Sequence, residues 1–212
     1  MRNKKKQFSS DILEVGKTFN NKEIVKKYLN MWYTYRDSKM LEQEYALSTL
    51  FQHFYQNNNF QNVLVKVSCL NDFYSTGIRD TYSVAKVIYK LNIDTRLQNA
   101  DLSLVDDIAA ETKKNCKSGR REYSFATKYC SFHRPDVYPI FDSRNEEILR
   151  YYRKDISINP FTLRKSYKDY VKIINKYKEI FGLKCFSYKE IDRFNWLFCN
   201  LNNEEKTNGL IQ

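Results

Sequence analysis

One aspartate, Asp142, stands where the chain could do chemistry. It follows a connector, residues 133–141, which holds two of the three prolines. Because proline fixes its own φ and pushes the preceding residue out of helical space, this connector is predicted to be stiff and extended. Asp142 then takes the N-cap position of the next helix, where an Asp is common for local hydrogen-bonding reasons alone. A carboxylate held this firmly could also stabilise positive charge on a substrate.

The helix before the connector, within residues 120–133, presents two different faces at 100° per residue. One is predicted to be core: Tyr123, Ala126, Tyr129, Cys130 and His133. The other mixes cations, a hydroxyl and aromatic rings: Arg121, Ser124, Phe125, Lys128 and Phe132. Such a mixture is typical of a nucleic-acid groove, but the pattern favours Phe125 and Phe132 packing inward while Lys128 reaches outward. His133, at the helix C-terminus, is expected to have a structural role there, supported by the helix dipole.

Composition restricts the class of protein without naming a function. The 212 residues are 42% hydrophobic and 16% aromatic, which excludes wholesale disorder and allows a sizeable core. A net charge of +11 favours a polyanionic partner such as nucleic acid. A genome rich in Lys and Asn codons would give the same charge in a protein that binds no polyanion. The charge alone does not distinguish these two explanations.

Cysteine and histidine usage predicts neither metal nor cofactor. The five cysteines form no CxxC pair, and only His53 and His133 could add imidazole ligands, so zinc and iron–sulfur sites are not expected. The first residues lack the apolar run of a secretory signal, and no apolar run reaches membrane-spanning length. We therefore expect a reduced cytoplasmic protein, nucleoid-associated if bacterial, without membrane contact.

Apolar residues recur at three- and four-residue steps through most of the chain, and no segment sustains the two-residue alternation of a strand. The sequence predicts an all-α protein: a compact helical bundle of two packed lobes. Its divisions would be a basic arm at 1–18, a single domain at 19–201 and a frayed tail at 202–212. The predicted helices start near residues 20, 39, 60, 81, 103, 122, 143, 160 and 187.

The stretch from Ser118 to Leu149 resembles the helix-hairpin-helix DNA glycosylase superfamily. The matching pieces are Lys117–Arg121 for the hairpin, Glu122–Phe132 for the helix, and Tyr138–Asp142 for the segment that ends in the carboxylate. Two features depart from that family. Of the hairpin's glycine-rich signature only Gly119 remains. The lysine of bifunctional members would fall near Tyr123 or Ser124, so Lys128, one turn later on the same face as Ser124, is a candidate substitute.

This resemblance implies a DNA glycosylase that excises a damaged or modified base from double-stranded DNA. The base would be flipped into a pocket, and Asp142 would stabilise positive charge on the sugar. Lys128 would either form a Schiff base or hold a phosphate, and the displaced lysine favours base excision without strand cleavage. DNA would be bound by Lys117, Arg120, Arg121, Ser124 and Arg144.

Two further functions fit the same sequence. One is a nucleic-acid-binding module with no chemistry, in which Asp142 is only a cap. The other is a helical interaction protein of a stress or antiviral system, although no protein partner is evident. Neither the excised base nor the biological setting, base-excision repair or antiphage defence, follows from the sequence.

Overall fold

The computed structural model describes residues 21–34 and 38–207. This part of the chain holds ten α-helices and one 3-10 helix and no β-strand, which confirms the all-α prediction. The predicted arm at 1–18 lies outside the described residues. The elements are α1 (Asn21–Trp32), α2 (Lys39–His53), α3 (Phe60–Phe73), α4 (Thr81–Leu91), α5 (Asp94–Gln98), α6 (Ser103–Asn115), α7 (Tyr123–His133), α8 (Ser143–Tyr151), the 3-10 helix Pro160–Arg164, α9 (Tyr167–Ile180) and α10 (Tyr188–Thr207).

Short polar side chains cap several of these helices. Asn59 accepts a hydrogen bond from the backbone N–H of Asn62 at the start of α3, and Asp80 accepts one from Ser83 at the start of α4. Each cap satisfies a backbone donor that has no partner within the helix. At the other end of α9, Gly182 takes a φ of +69°, a conformation that costs glycine little.

The buried apolar side chains form one continuous cluster that reaches every α-helix. Within it, α10 packs against both α1 and α8, and α7 packs against α2, α3 and α6. Helix α10 therefore connects α1, from the start of the chain, with α8, the helix that Asp142 caps. The division of the bundle into two lobes remains a prediction.

The helices of the structure differ from the predicted ones in three places. Pro160 does not begin a long helix: it opens the 3-10 helix, and α9 starts afresh after Ser166, which accepts a hydrogen bond from the backbone N–H of Asp169. The short helix α5 was not predicted, because five residues show too little periodicity. The backbone of α10 continues to Thr207, beyond the predicted start of the tail at residue 202.

Three further features of the described residues concern cysteines, helix hydropathy and metal-ligating side chains. None of the five cysteines, all within the described residues, forms a disulfide, and Cys116, Cys130 and Cys199 are buried. No helix in this part of the chain is long and apolar enough to cross a membrane. Nor does it hold a group of three or more metal-ligating side chains.

Candidate functional site

Asp142 is the N-cap of α8, as predicted. Its Oδ1 accepts hydrogen bonds from the backbone N–H groups of Arg144 at 3.0 Å and Asn145 at 2.9 Å. The side chain is only 16% exposed. The carboxylate is therefore held by backbone amides, at a helix end whose dipole favours negative charge.

Side-chain hydroxyls fix the connector that leads to Asp142. Tyr167 donates its hydroxyl to the carbonyl of Pro139, and Tyr170 donates to the carbonyl of Ile140. The hydroxyl of Thr127, on α7, accepts the N–H of Phe141 at 3.0 Å. Because three helix-borne hydroxyls hold consecutive peptide groups, the position of Asp142 is set by α7 and α9 as well as by the prolines.

Lys128 lies beside Asp142, and its side chain is 5% exposed. Its Nζ donates to Ser124 Oγ at 2.9 Å and stands 3.8 Å from Asp142 Oδ2. The prediction that Lys128 reaches outward was therefore wrong, whereas Phe125 and Phe132 do pack inward. The physical reason is that a carboxylate, a hydroxyl and the Tyr74 ring, 5.7 Å from Nζ, make burial of the ammonium tolerable.

A second group of charges borders this pair. Lys189 donates to the hydroxyl of Tyr74 at 3.0 Å and lies 3.6 Å from Glu44. Burial lowers the pKa of Lys189, but Tyr74 and Glu44 together outweigh burial and raise it overall. Burial also raises the pKa of Tyr74 to about 12, so its hydroxyl stays protonated. Arg193 forms two hydrogen bonds to Glu44, which leaves this glutamate fully engaged.

Asp192, on α10, is a second carboxylate of the site that the sequence analysis missed. It is 9% exposed. Its Oδ1 accepts a hydrogen bond of 2.7 Å from Asn145 Nδ2, which also lies 3.2 Å from Asp142 Oδ1. One amide therefore bridges the two acids. Burial, then the nearby charge of Asp142, raises the pKa of Asp192 to about 6.

Both carboxylates line a narrow pocket between α10 and the first three helices. The space open to the centre of a water molecule is about 20 Å³, enough for one water and far too small for a base in this conformation. The pocket is lined by Trp32, Met40, Gln43, Glu44, Phe73, Tyr74, Asp142, Asp192 and Trp196.

The predicted DNA-binding residues divide into two groups. Lys117, Arg120 and Arg121 are exposed on the connection between α6 and α7. The guanidinium of Arg120 contacts Glu122 at 3.2 Å, and that of Arg121 is bound to Asp106 at 2.6 Å. Ser124 is turned to Lys128 inside the site. Arg144 is partly buried and donates to Asn200 Oδ1 at 2.9 Å. The structure thus brings together Ser124, Lys128 and Asp142, and leaves Lys117 and Arg120 on the surface.

His133 belongs to a different buried cluster, with Lys66, Asn57 and Asp94. Lys66 is fully buried, and its Nζ donates to Asn57 Oδ1 at 2.8 Å. Burial, then the charge of Lys66, lowers the pKa of His133 to about 3, so the ring is neutral. A neutral ring gains nothing from the helix dipole, so the expected reason for its structural role was wrong. Its role is to accept from the Asn57 amide, which lies 3.3 Å from Nε2.

The residues that sequence reasoning missed carried a usable signal. Lys66 falls at helical spacing among Val63, Val67 and Leu70, all of which are buried. Asp192 and Asn195 share a face of α10 in the same way, three residues apart. A polar residue in register with an apolar stripe indicates a buried polar group, which must then find partners.

Comparisons with known proteins place the chain in a family without giving it an activity. The model of the HI_0787_N family, described as an N-terminal domain, matches residues 24–137, more than half of the chain. A protein of Haemophilus influenzae described only as uncharacterized is 38% identical over 140 residues. The match spans 64% of this chain and 65% of that relative, so less than two thirds of the relative's length is covered. No solved structure matches the chain. By its match over α1 to α7, the chain belongs to the HI_0787_N N-terminal domain family.

Proposed function

We propose that this protein is a DNA glycosylase that hydrolyses the N-glycosidic bond of a damaged or modified base. The observation that carries the proposal is the buried pair of Asp142 and Lys128, whose Oδ2 and Nζ lie 3.8 Å apart. A carboxylate and an amine held together on two helices joined by a stiff connector are the groups that the resemblance to helix-hairpin-helix glycosylases leads one to expect. A plain N-cap does not require a buried amine beside it.

The connection between α6 and α7 supports the same function. It spans residues 116–122, joins two packed helices, and contains Gly119 at a φ of +60° within a turn. Lys117 and Arg120 are exposed on it, where they can reach phosphates. This arrangement is compatible with a hairpin that grips the DNA backbone, although the glycine-rich signature of that family is absent.

The chemistry assigned to Asp142 follows from its charge and position. Cleavage of the glycosidic bond leaves positive charge on the sugar, and a fixed carboxylate stabilises that charge most when no reorganisation is needed. The base must first be rotated out of the duplex, at a cost of about a few kcal/mol. Lys128 balances the buried carboxylate and is available to a substrate phosphate or to the departing base. Because Lys128 is held in an ion pair, we assign simple base excision without strand cleavage.

The function is tested with duplexes that each contain one oxidised, alkylated, deaminated or phage-type modified base. We expect the protein to convert at least one of them to an abasic duplex, detected as strand breakage only after hot alkali. Asp142→Asn should abolish this conversion and leave the affinity for duplex DNA within about threefold, since the substitution removes a charge that acts on the sugar. Failure of the wild-type protein on every duplex would refute the proposal.

The alternative function that an observation supports is a nucleic-acid-binding module without chemistry. A net charge of +11 suffices for binding to nucleic acid. Under that alternative the wild-type protein and Asp142→Asn would bind DNA equally and neither would release a base. An interaction protein would show duplex affinity that hardly changes with added salt.

A further inference from the structure

The bridge between Asp142 and Asp192 has a fixed direction. Asn195, which is fully buried, donates its Nδ2 to the Oδ1 of Asn145 at 2.8 Å. The amide nitrogen of Asn145 must therefore face the two acids, since its oxygen is already used. A reversed amide would place its oxygen against two carboxylates and lose three hydrogen bonds. Asn145 thus sets the orientation of both acids at once.

This bridge occupies the same oxygen on each acid. The hydrogen bonds that Asp142 and Asp192 accept from described residues all go to Oδ1. Oδ2 of Asp142 has only the ion pair with Lys128, and Oδ2 of Asp192 has no partner among the residues described. Both side chains line the pocket. Both Oδ2 atoms can therefore accept a hydrogen bond from a donor inside that pocket.

In the described part of the chain, a buried donor without a partner belongs to another residue that lines this pocket. Trp32 is 5% exposed and lines the pocket, and its Nε1 has no hydrogen-bond partner among the described residues. Trp Nε1 can only donate, whereas the two carboxylate oxygens can only accept. A water molecule can do both, and a pocket of about 20 Å³ has room for one, since about 10–15 Å³ is the minimum.

We propose that Asp192 is the second catalytic carboxylate of this site: with Asp142 it binds the water that attacks the sugar, and it accepts that water's proton. The inference rests on the proposed glycosylase function. The water oxygen forms a bond to C1′ while the C1′–N bond breaks, and the electron pair leaves with the base. The released proton passes to Asp192, and the base is protonated from solvent.

The roles of the two acids differ because their surroundings differ. Asp142 is held by two backbone amides and lies beside an ammonium group, so its carboxylate is fixed in position to face a cationic sugar. Asp192 receives one amide hydrogen bond, and its pKa is raised to about 6, chiefly by burial. A carboxylate with a raised pKa accepts a proton more readily, as general base catalysis near neutral pH requires.

The first test compares single-turnover base release by wild-type protein and Asp192→Asn on a duplex that the wild-type protein cleaves. We expect the rate to fall by about 100-fold or more, the usual contribution of a general base, with duplex affinity unchanged. Glu190→Gln, an acid-to-amide change on the same helix outside the pocket, should keep the wild-type rate. An Asp192→Asn rate within about threefold of wild type would overturn the role of Asp192 while leaving the glycosylase function standing. Absence of base release by wild type would overturn both.

The second test separates catalysis from a structural role. The wild-type rate should fall below pH 6, where Asp192 takes up a proton, and Asp192→Asn should lose this dependence. The other titratable or charged groups near Asp192 are present in both proteins: Glu44, Tyr74, Lys128, Asp142, Tyr170 and Lys189. Should Asp192→Asn fold poorly, Asp192→Ala with added formate should recover part of the rate, because formate restores a carboxylate in the pocket. An unchanged pH profile, or no recovery with formate in a folded variant, would show that Asp192 only supports the structure.

Discussion

Lys66 Nζ, on α3, lies 3.4 Å from His133 Nε2, at the C-terminal end of α7. The same ammonium donates to the carbonyls of Phe54 and Gln56 and to Asn57 Oδ1. Three acceptors on the connection between α2 and α3 therefore converge on one buried cation. Such an arrangement fixes the connection, and it makes folding stability depend on two titrating groups.

Replacing Lys66 should destabilise the protein in a pH-dependent way. Lys66→Met removes the donor to the carbonyls of Phe54 and Gln56 and one of the two donors to Asn57 Oδ1, which keeps the Tyr129 hydroxyl. We therefore expect a loss of about 1–3 kcal/mol at pH 7, measured by urea unfolding. Burial lowers the folded pKa of Lys66 to about 8. In the unfolded chain the pKa of Lys66 is 10.5, so between pH 8 and 10.5 the unfolded state binds a proton that the folded state has lost. Over this range the stability of the wild-type protein should therefore rise with pH, relative to that of Lys66→Met, by up to about 3 kcal/mol. Lys86→Met, an exposed change on α4, should alter stability by less than about 0.5 kcal/mol. A constant difference across this range would contradict the prediction.

Titration of His133 should make the protein less stable as the pH falls below neutral. Burial and Lys66 lower its folded pKa to about 3 from 6.5. As pH falls below 6.5 the unfolded chain takes up a proton first, so stability is lost down to about pH 3. His133→Gln keeps an acceptor for Asn57 without this proton. Because His133 is partly exposed, we expect the variant to lose about 2 kcal/mol less than wild type between pH 6.5 and 4. Parallel stability curves would refute the assignment.

The sequence predicted the features that local chemistry determines. The N-cap at Asp142 and the start of α4 after Asp80 both depend on residues within one or two turns. The division of α7 into a core face and an outer face was wrong, because Phe125 and Lys128 are buried as well. The partners of Asp142 could not be predicted from the sequence, because Asp192 is 50 positions away and reaches the site through the packing of α10 on α8. Lys128 was predicted to be exposed because lysine is rarely buried without a partner. The partners that allow its burial here are known only from the structure.

Salt dependence should separate the two kinds of predicted DNA contact. Lys117→Ala and Arg120→Ala remove exposed cations on the loop between α6 and α7, so each should weaken binding to all duplexes and reduce the salt slope by about one. Arg144 is held by Asn200. Arg144→Ala should therefore leave the slope unchanged and lower thermal stability instead. Fluorescence anisotropy across a salt series measures all three. A slope change for Arg144→Ala alone would show that this arginine turns to the DNA.

The state of Lys128 decides between simple excision and strand cleavage. A Schiff base requires a neutral amine, whereas Nζ here is paired with Asp142 and donates to Ser124 at 2.9 Å. We therefore expect wild-type protein to produce abasic sites without strand breaks, and borohydride to trap no covalent complex with DNA. Lys128→Met should slow base release by about tenfold or more, because the buried Asp142 loses its counter-charge. Ser124→Ala, which keeps the ion pair, is the matched control and should have a smaller effect. A trapped complex that disappears in Lys128→Met would contradict simple excision and make Lys128 the nucleophile.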